Sequence, residues 1–225
     1  MPVEIPNDKP LEMTKTARFW ARSRYVILPL LAVYFLSFGG GYLAGKMEWV
    51  GLASVRTSKL YDLNRNFELK VPGYGGLLQA YKAWERPKLY GYILNGKGAK
   101  ALLLVFFNNW VVANLTMVIR AGTLVPMLLY PYGRFVQGLT FSQTPATFQI
   151  WGMFLSEFGG YLLTICGTLC ALFWTLFYRR FGFASRKAAV RSGLLTFGLF
   201  YGLSGFFLLL GSYLETMAVI GMSLR

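Results

Sequence analysis

The sequence contains no histidine. Histidine is the usual ligand of haem, catalytic zinc and copper and the commonest general base, so its absence disfavours most metal and acid–base chemistry. The only cysteines, Cys166 and Cys170, lie four residues apart in one apolar run, which is typical of small packing residues. GxSxG, HExxH, P-loop and CxxC spacings are also missing. We therefore expect no cofactor, no metal and no enzymatic activity.

Charged residues are scarce. Only 14% of the 225 residues are charged and 55% are hydrophobic, with a mean hydropathy of +0.45. A soluble domain usually carries about 25% charged residues, so this composition indicates an integral membrane protein. The net charge is +14, but the basic residues are distributed among the ends of apolar runs. That distribution predicts contact with membrane lipids and no nucleic-acid partner.

The chain holds five hydrophobic runs, and about 20 residues suffice for a helix to cross a ~30 Å hydrocarbon core. The third run is the weakest, because it contains Pro126, Pro131 and Arg134, and it is either a span or a re-entrant segment. The runs are Tyr25 to Gly45, Ala101 to Met117, Thr123 to Leu139, Ile150 to Tyr178, and Leu194 to Ile220.

Two basic regions predict the orientation. Lys15, Arg18, Arg22 and Arg24 lie upstream of the first run, and residues 179–191 form the most basic short loop. Both regions are expected on the cytoplasmic side of a cell inner membrane. This arrangement requires about five spans in an all-α polytopic transmembrane bundle. The predicted divisions are a cytoplasmic segment 1–23, a first transmembrane helix 24–45, an extracytoplasmic segment 46–100, and a bundle of about four helices in 101–225.

The 46–100 segment carries ten basic and four acidic residues together with many aromatic ones. A helical spacing of apolar residues between the break at Pro72 to Gly76 and Pro87 predicts a short interfacial helix. The alternative is a solvated loop with ordinary aromatic anchors. The candidate partner contacts in this helix are Leu77, Leu78, Tyr81 and Trp84.

Glu157 and Glu215 are the only acidic residues inside the hydrophobic runs. An ionised carboxylate in hydrocarbon costs at least ~2.5 kcal/mol, so both should face a protein interior, a polar cavity or a partner. Counted along their helices, both lie at a similar depth, and Asn108 and Asn109 of the second run could meet them. The four residues form a packing clasp, a proton or cation site, or a contact to a basic group of a partner.

Small residues recur at helical spacing in three of the runs. Such faces let helices approach closely, and they predict a tight bundle that is a homo- or hetero-oligomer. The residues predicted to pack in this way are Gly41 and Gly45, Gly160 and Thr164, and Gly198, Gly202 and Gly205.

Three stretches resemble the stage II sporulation protein M family: Phe106 to Asn109, Glu157 with the small residues after it, and Phe207 to Thr216. The resemblance covers most of the chain but is sharp in only about thirty residues. It carries over Asn108, Asn109, Glu157 and Glu215. The chain departs from the family at Gln143 to Glu157, where members often carry a histidine.

The resemblance implies a multispanning membrane subunit. The namesake of the family scaffolds a peptidoglycan-remodelling complex, and relatives look like membrane partners of ABC-type transport systems. We expect a non-enzymatic membrane subunit or scaffold that assembles with other membrane or extracytoplasmic protein subunits. The alternative is a transport or proton/ion-conducting component that uses Glu157 and Glu215.

Overall fold

The computed structural model describes residues 15–123, 129–144 and 147–223. Every regular element in these ranges is helical, which confirms the predicted all-helical fold. The elements are α1 (Lys15–Lys46), α2 (Leu52–Arg56), α3 (Lys59–Arg65), a 3₁₀ turn (Glu68–Lys70), α4 (Tyr74–Leu94), α5 (Gly98–Phe107), a π-helical segment (Asn108–Ala113), α6 (Asn114–Thr123), α7 (Tyr130–Ser142), α8 (Phe148–Leu176) and α9 (Arg186–Ser223).

Four helices in the described ranges are long and apolar enough to cross a membrane: Ala17–Lys46, Gly98–Thr123, Phe148–Leu176 and Arg186–Ala218. They contain four of the five predicted runs, as expected of a membrane protein. The third run is represented by α7, whose 13 residues extend only about 20 Å. Residues 124–128 lie outside the described residues, so the fifth span stays a prediction.

The most extensive helix contacts join α8 to α9 and α1 to α7. A ladder of aromatic rings also joins α1 to α8. The ring centroids of Tyr34 and Phe158 are 3.7 Å apart, and those of Phe38 and Phe154 are 5.1 Å apart. Because the residue numbers rise on α1 as they fall on α8, the two helices run in opposite directions.

The beginning of α1 meets the loop between α8 and α9. Arg22 donates from Nε to the carbonyl oxygen of Phe181 and from Nη2 to that of Gly182, both at 2.9 Å. Its guanidinium also lies 4.0 Å from the ring centroid of Phe183. The two basic regions predicted to share one side of the membrane therefore share one end of the bundle. We call this end, defined by Arg22 and residues 179–191, the basic end.

Helices α2, α3 and α4 form a helical hairpin, residues 52–94, which packs back along the bundle. The interfacial helix predicted to end near Pro87 is longer than expected, because α4 continues through Pro87 to Leu94. A proline inside a helix leaves the carbonyl four residues earlier without its donor. That carbonyl belongs to Ala83, which is exposed and accessible to an outside donor. Helix α1, Lys15–Lys46, includes all of the predicted first transmembrane helix 24–45.

Helix α7 packs against α1 through small residues. A Cβ atom at Gly41 would collide with the backbone of Phe135, and one at Gly138 would collide with the backbone of Phe38. Gly45 is equally close to Ser142. The predicted pair Gly41 and Gly45 thus lies where the two helix backbones approach most closely, and glycine is the residue that permits this approach.

Neighbouring glycines of α1 provide a matched test of this contact. We expect Gly41→Ala to lower the free energy of unfolding by about 1–3 kcal/mol relative to Gly40→Ala, because overpacking against a backbone is costly. A Cβ atom at Gly40 meets nothing within 4 Å, so that variant gains only helix propensity. Unfolding of the micellar protein by a denaturing detergent measures both. Equal stabilities would contradict the close α1–α7 contact.

Candidate functional site

The four polar residues predicted to cluster lie together, near the end of the bundle opposite the basic end. Asn109 donates from Nδ2 to Ser212 Oγ at 3.3 Å and to Glu215 Oε2 at 3.4 Å. Glu157 and Glu215 lie next to each other. Asn108 lies at the edge and donates to Asn109 Oδ1 at 3.3 Å.

Besides Ser212, two further residues that were not predicted from the sequence join this group. Tyr161 donates its hydroxyl proton to Asn109 Oδ1 at 3.3 Å. Glu85, from α4, is 9% exposed and close enough to interact electrostatically with Glu215. Both had a signal in the sequence: Tyr161 follows Glu157 by one helical turn, and Glu85 follows Tyr81 by one turn. We call Asn108, Asn109, Glu157, Tyr161, Ser212, Glu215 and Glu85 the carboxylate cluster.

The cluster concentrates three carboxyl groups in apolar surroundings. The pKa of Glu85 is raised above its usual value, and burial is the main cause. The nearby Glu215 also raises the pKa, whereas the positive charges of Arg86 and Lys82 lower it. Adjacent carboxylates repel one another unless one is protonated. In the described part of the chain, no group of three or more His, Cys, Asp or Glu residues could hold a metal ion. The carboxyl, amide and hydroxyl groups of the cluster can bind protons and form hydrogen bonds.

A cavity leads to the cluster from the side of α4. It has a volume of about 290 Å³ and reaches Asn108, Asn109 and Tyr161, with Lys82 also in its wall. A polar cavity of this size holds several waters. The side-chain amides of Asn108 and Asn109 therefore border a cavity that is large enough for water.

A second polar group lies at the middle of the bundle. Asn114 donates from Nδ2 to Ser204 Oγ at 2.8 Å and accepts from Thr164 Oγ1 at 2.9 Å. All three side chains are 0% exposed. This triad joins α6, α8 and α9, and each buried polar atom in it finds a partner.

The π-helical segment explains why both amides face α9. Residues five apart lie above one another in a π-helix, whereas five residues of a regular α-helix turn about 140° past a full circle. Asn109 and Asn114 are five apart and span the segment Asn108–Ala113. Their partners, Ser212 and Ser204, are eight apart on α9 and therefore share one face.

The predicted packing glycines separate into two groups. A Cβ atom at Gly160 would collide with Leu208, and one at Gly205 would lie 2.9 Å from Trp110 Nε1. Gly198 and Gly202 instead face open space in the described chain. A packing role for this second pair would require another molecule, and it stays a prediction.

The four predicted partner contacts of α4 also differ from one another. Leu78 is only 4% exposed and packs inside the chain, and the ring of Tyr81 lies 6.2 Å from that of Phe107. Leu77 and Trp84 point outwards, with 72% and 49% of their surface exposed. The outward face of α4 is therefore smaller than the sequence pattern predicted.

Comparisons with protein-family models, with curated proteins and with solved structures found no match. The resemblance to the stage II sporulation protein M family therefore stays a prediction from the residues that carry it.

Two threonines of α8 test the central triad. We expect Thr164→Val to lower the free energy of unfolding by about 0.6–1.7 kcal/mol, the range measured for hydrogen bonds between membrane helices. Thr168→Val is the control, because Thr168 donates only to the Thr164 carbonyl of its own helix, at 2.8 Å. Detergent unfolding of both variants gives the difference. If Thr164→Val lowers the free energy of unfolding no more than Thr168→Val does, the triad does not stabilise the contact between the three helices.

Proposed function

We propose that this protein is a non-enzymatic integral membrane subunit that assembles with a partner protein through the helical hairpin 52–94. The observation that carries the proposal is that this charged hairpin packs alongside the candidate spans, far from the end at which it joins them. A hairpin of this composition, next to apolar helices, needs a protein surface or water over its outer side.

Polar contacts fix the hairpin to the bundle between Ser58 and Tyr74. Near its beginning, the Ser58 hydroxyl lies 2.8 Å from that of Tyr132. At its tip, Arg120 donates to the carbonyl oxygen of Asn64 at 2.6 Å. On the returning side, the Tyr74 hydroxyl lies 2.6 Å from Thr116 Oγ1.

These contacts place the tip of the hairpin far along the second candidate span. Thr116 follows Gly98, the first residue of that span, by 18 residues, or about 27 Å of helix. The hydrocarbon core of a bilayer is about 30 Å thick. If Gly98–Thr123 crosses the membrane, then the tip of the hairpin lies at membrane depth.

The outer side of the hairpin is poorly suited to lipid. Its tip contains a 3₁₀ turn and non-helical backbone around Gly73, whose φ is +77°. Irregular backbone at membrane depth is tolerated only when protein or water covers it, and charged side chains facing lipid are costly. The exposed charged residues of the hairpin are Arg56, Lys59, Asp62, Lys70, Lys82, Arg86 and Lys88. A protein partner would satisfy these residues and the exposed Leu77 and Trp84 together.

The chain path supports the finer proposal of five spans with a cytoplasmic N-terminus in the inner membrane. Ala121, near the end of α6, belongs to the same buried cluster as Phe183 and Ala189 of the basic end. At the opposite end, Gln149 near the beginning of α8 donates to the Leu214 carbonyl at 3.2 Å. The chain must return across the bundle between these points, and α7 supplies the second half of that return.

The same proposal accommodates the family resemblance. All four residues carried over from the stage II sporulation protein M pattern, Asn108, Asn109, Glu157 and Glu215, belong to one cluster. A shared structural motif is the simplest reason for such an arrangement. We therefore propose a distant relationship to that family of membrane scaffolds.

Site-specific photocrosslinking tests the partner surface. A photoreactive residue at Leu77, which is 72% exposed, should form a protein adduct in native membranes. The matched control is Leu36, a leucine in the middle of α1 that is 76% exposed and should label lipid. The adducts are identified by mass spectrometry, and intact-complex mass after mild-detergent purification gives the stoichiometry. Lipid adducts alone at Leu77 would contradict the proposal.

A second candidate function is proton or ion conduction through the carboxylate cluster. The observation in its favour is the cavity of about 290 Å³ that reaches Asn109 and Tyr161. Under the subunit proposal, Glu157→Gln keeps a hydrogen-bonding side chain and should leave complex assembly unchanged. Proteoliposomes with a pH-sensitive dye should then show the same low proton flux for both proteins. A flux in the native protein that Glu157→Gln abolishes would favour conduction.

A further inference from the structure

The basic end of the bundle has surface cavities that no part of the proposed function uses. A groove of about 560 Å³ is lined by Tyr25, Val26, Phe173, Phe177, Arg180 and Phe181. Its volume lies within the ~300–1,000 Å³ typical of small-molecule sites. All but one of these side chains are apolar or aromatic, so the groove suits a hydrocarbon chain.

A more basic cavity adjoins the groove. This second cavity, of about 340 Å³, is lined by Arg18, Arg22 and Arg180 together with Tyr25 and other residues. Tyr25, Arg180 and Phe181 line both cavities. Arg180 thus stands where the basic cavity meets the apolar groove, a combination that matches a molecule with an anionic head and an apolar tail.

Every charged residue that lines this pair of cavities is an arginine. The sequence holds no Asp or Glu between residues 13 and 47 or between 158 and 214, the stretches that supply every lining residue. The planar guanidinium group is well suited to phosphate oxygens, which it can bind with two parallel hydrogen bonds. Basic pockets between membrane helices are a known way of binding anionic lipid headgroups.

Arg22 organises the pocket from within the protein. Its Nε and Nη2 atoms are occupied by the carbonyl oxygens of Phe181 and Gly182, and its guanidinium lies over Phe183. These contacts hold the loop that presents Arg180 beside α1. Arg180 itself is exposed, so it can bind a ligand while Arg22 fixes the geometry.

The geometry points to a specific site for an anionic phospholipid at the basic end, with its phosphate bound by Arg180, which Arg22 holds beside α1, and an acyl chain in the Tyr25–Phe173–Phe177 groove. The acyl groove distinguishes this site from a simple phosphate site. The fixed position of Arg180 at the groove distinguishes it from the general lipid contact of any membrane helix.

The test compares two adjacent arginines by native mass spectrometry of the full-length protein in detergent. The probe is dioleoylphosphatidylglycerol, with dioleoylphosphatidylcholine as the neutral lipid. Arg180→Gln should weaken phosphatidylglycerol binding about fivefold or more, the effect of about one lost basic contact. Arg179→Gln removes the same charge from the same loop, but Arg179 donates to Tyr178 at 3.0 Å and does not line either cavity. That control should change binding less than twofold.

Three results would overturn the proposal. Equal losses in the two variants would mean diffuse attraction to a positive surface. Equal binding of phosphatidylcholine would remove the role of the arginines. Equal binding of glycerophosphoglycerol, the same headgroup without acyl chains, would indicate a phosphate site without a lipid groove. A phosphatidylglycerol preference that depends on Arg180 and on the acyl chains supports the site.

Discussion

The hydrogen bonds of Asn114 hold the centre of the bundle and determine much of what surrounds it. In an apolar interior an amide without partners costs several kcal/mol, so Asn114 must stay paired with Thr164 and Ser204. This requirement fixes the relative height of three helices. It also fixes the rotation of α6 about its own axis, because the side chain of Asn114 must point between α8 and α9. The glycines at 160 and 205 follow from the same requirement, since bonds of 2.8–2.9 Å between short side chains need closely spaced helices.

The sequence predicts the helical class and the four long apolar helices well, because hydropathy over twenty residues is a strong signal. It also predicts that Asn109 and Glu215 meet, since depth can be counted along regular helices. Asn114 was missed for a physical reason. Regular periodicity places it on a different face from Asn109, and only the π-helical segment brings both towards α9. A local change of helical pitch has no clear signature in residue type.

The hairpin shows a different limit of sequence reasoning. Its charged and aromatic composition predicts an interfacial or extramembrane segment, and nothing local indicates that it packs along the candidate spans. Long-range contacts, such as that between Asn64 and Arg120, decide its position. The same contacts bring Glu85 to the carboxylate cluster. The interior position of Glu85 therefore depends on tertiary structure and not on the hydropathy of α4.

The two ends of the bundle differ in charge, because the acidic residues of the long helices lie near one end only. The stretches that build the basic end contain arginines but no acidic residue, so anions are the natural ligands there. The opposite end gathers three carboxyl groups, with Lys82 and Arg86 beside them on the hairpin. A partner that covers the hairpin would bury these cations and change the field at Glu85 and Glu215. Under the proposed assembly, partner binding and the charge state of the cluster would be coupled, because the exposed Leu77 and Trp84 belong to the same helix that supplies Glu85.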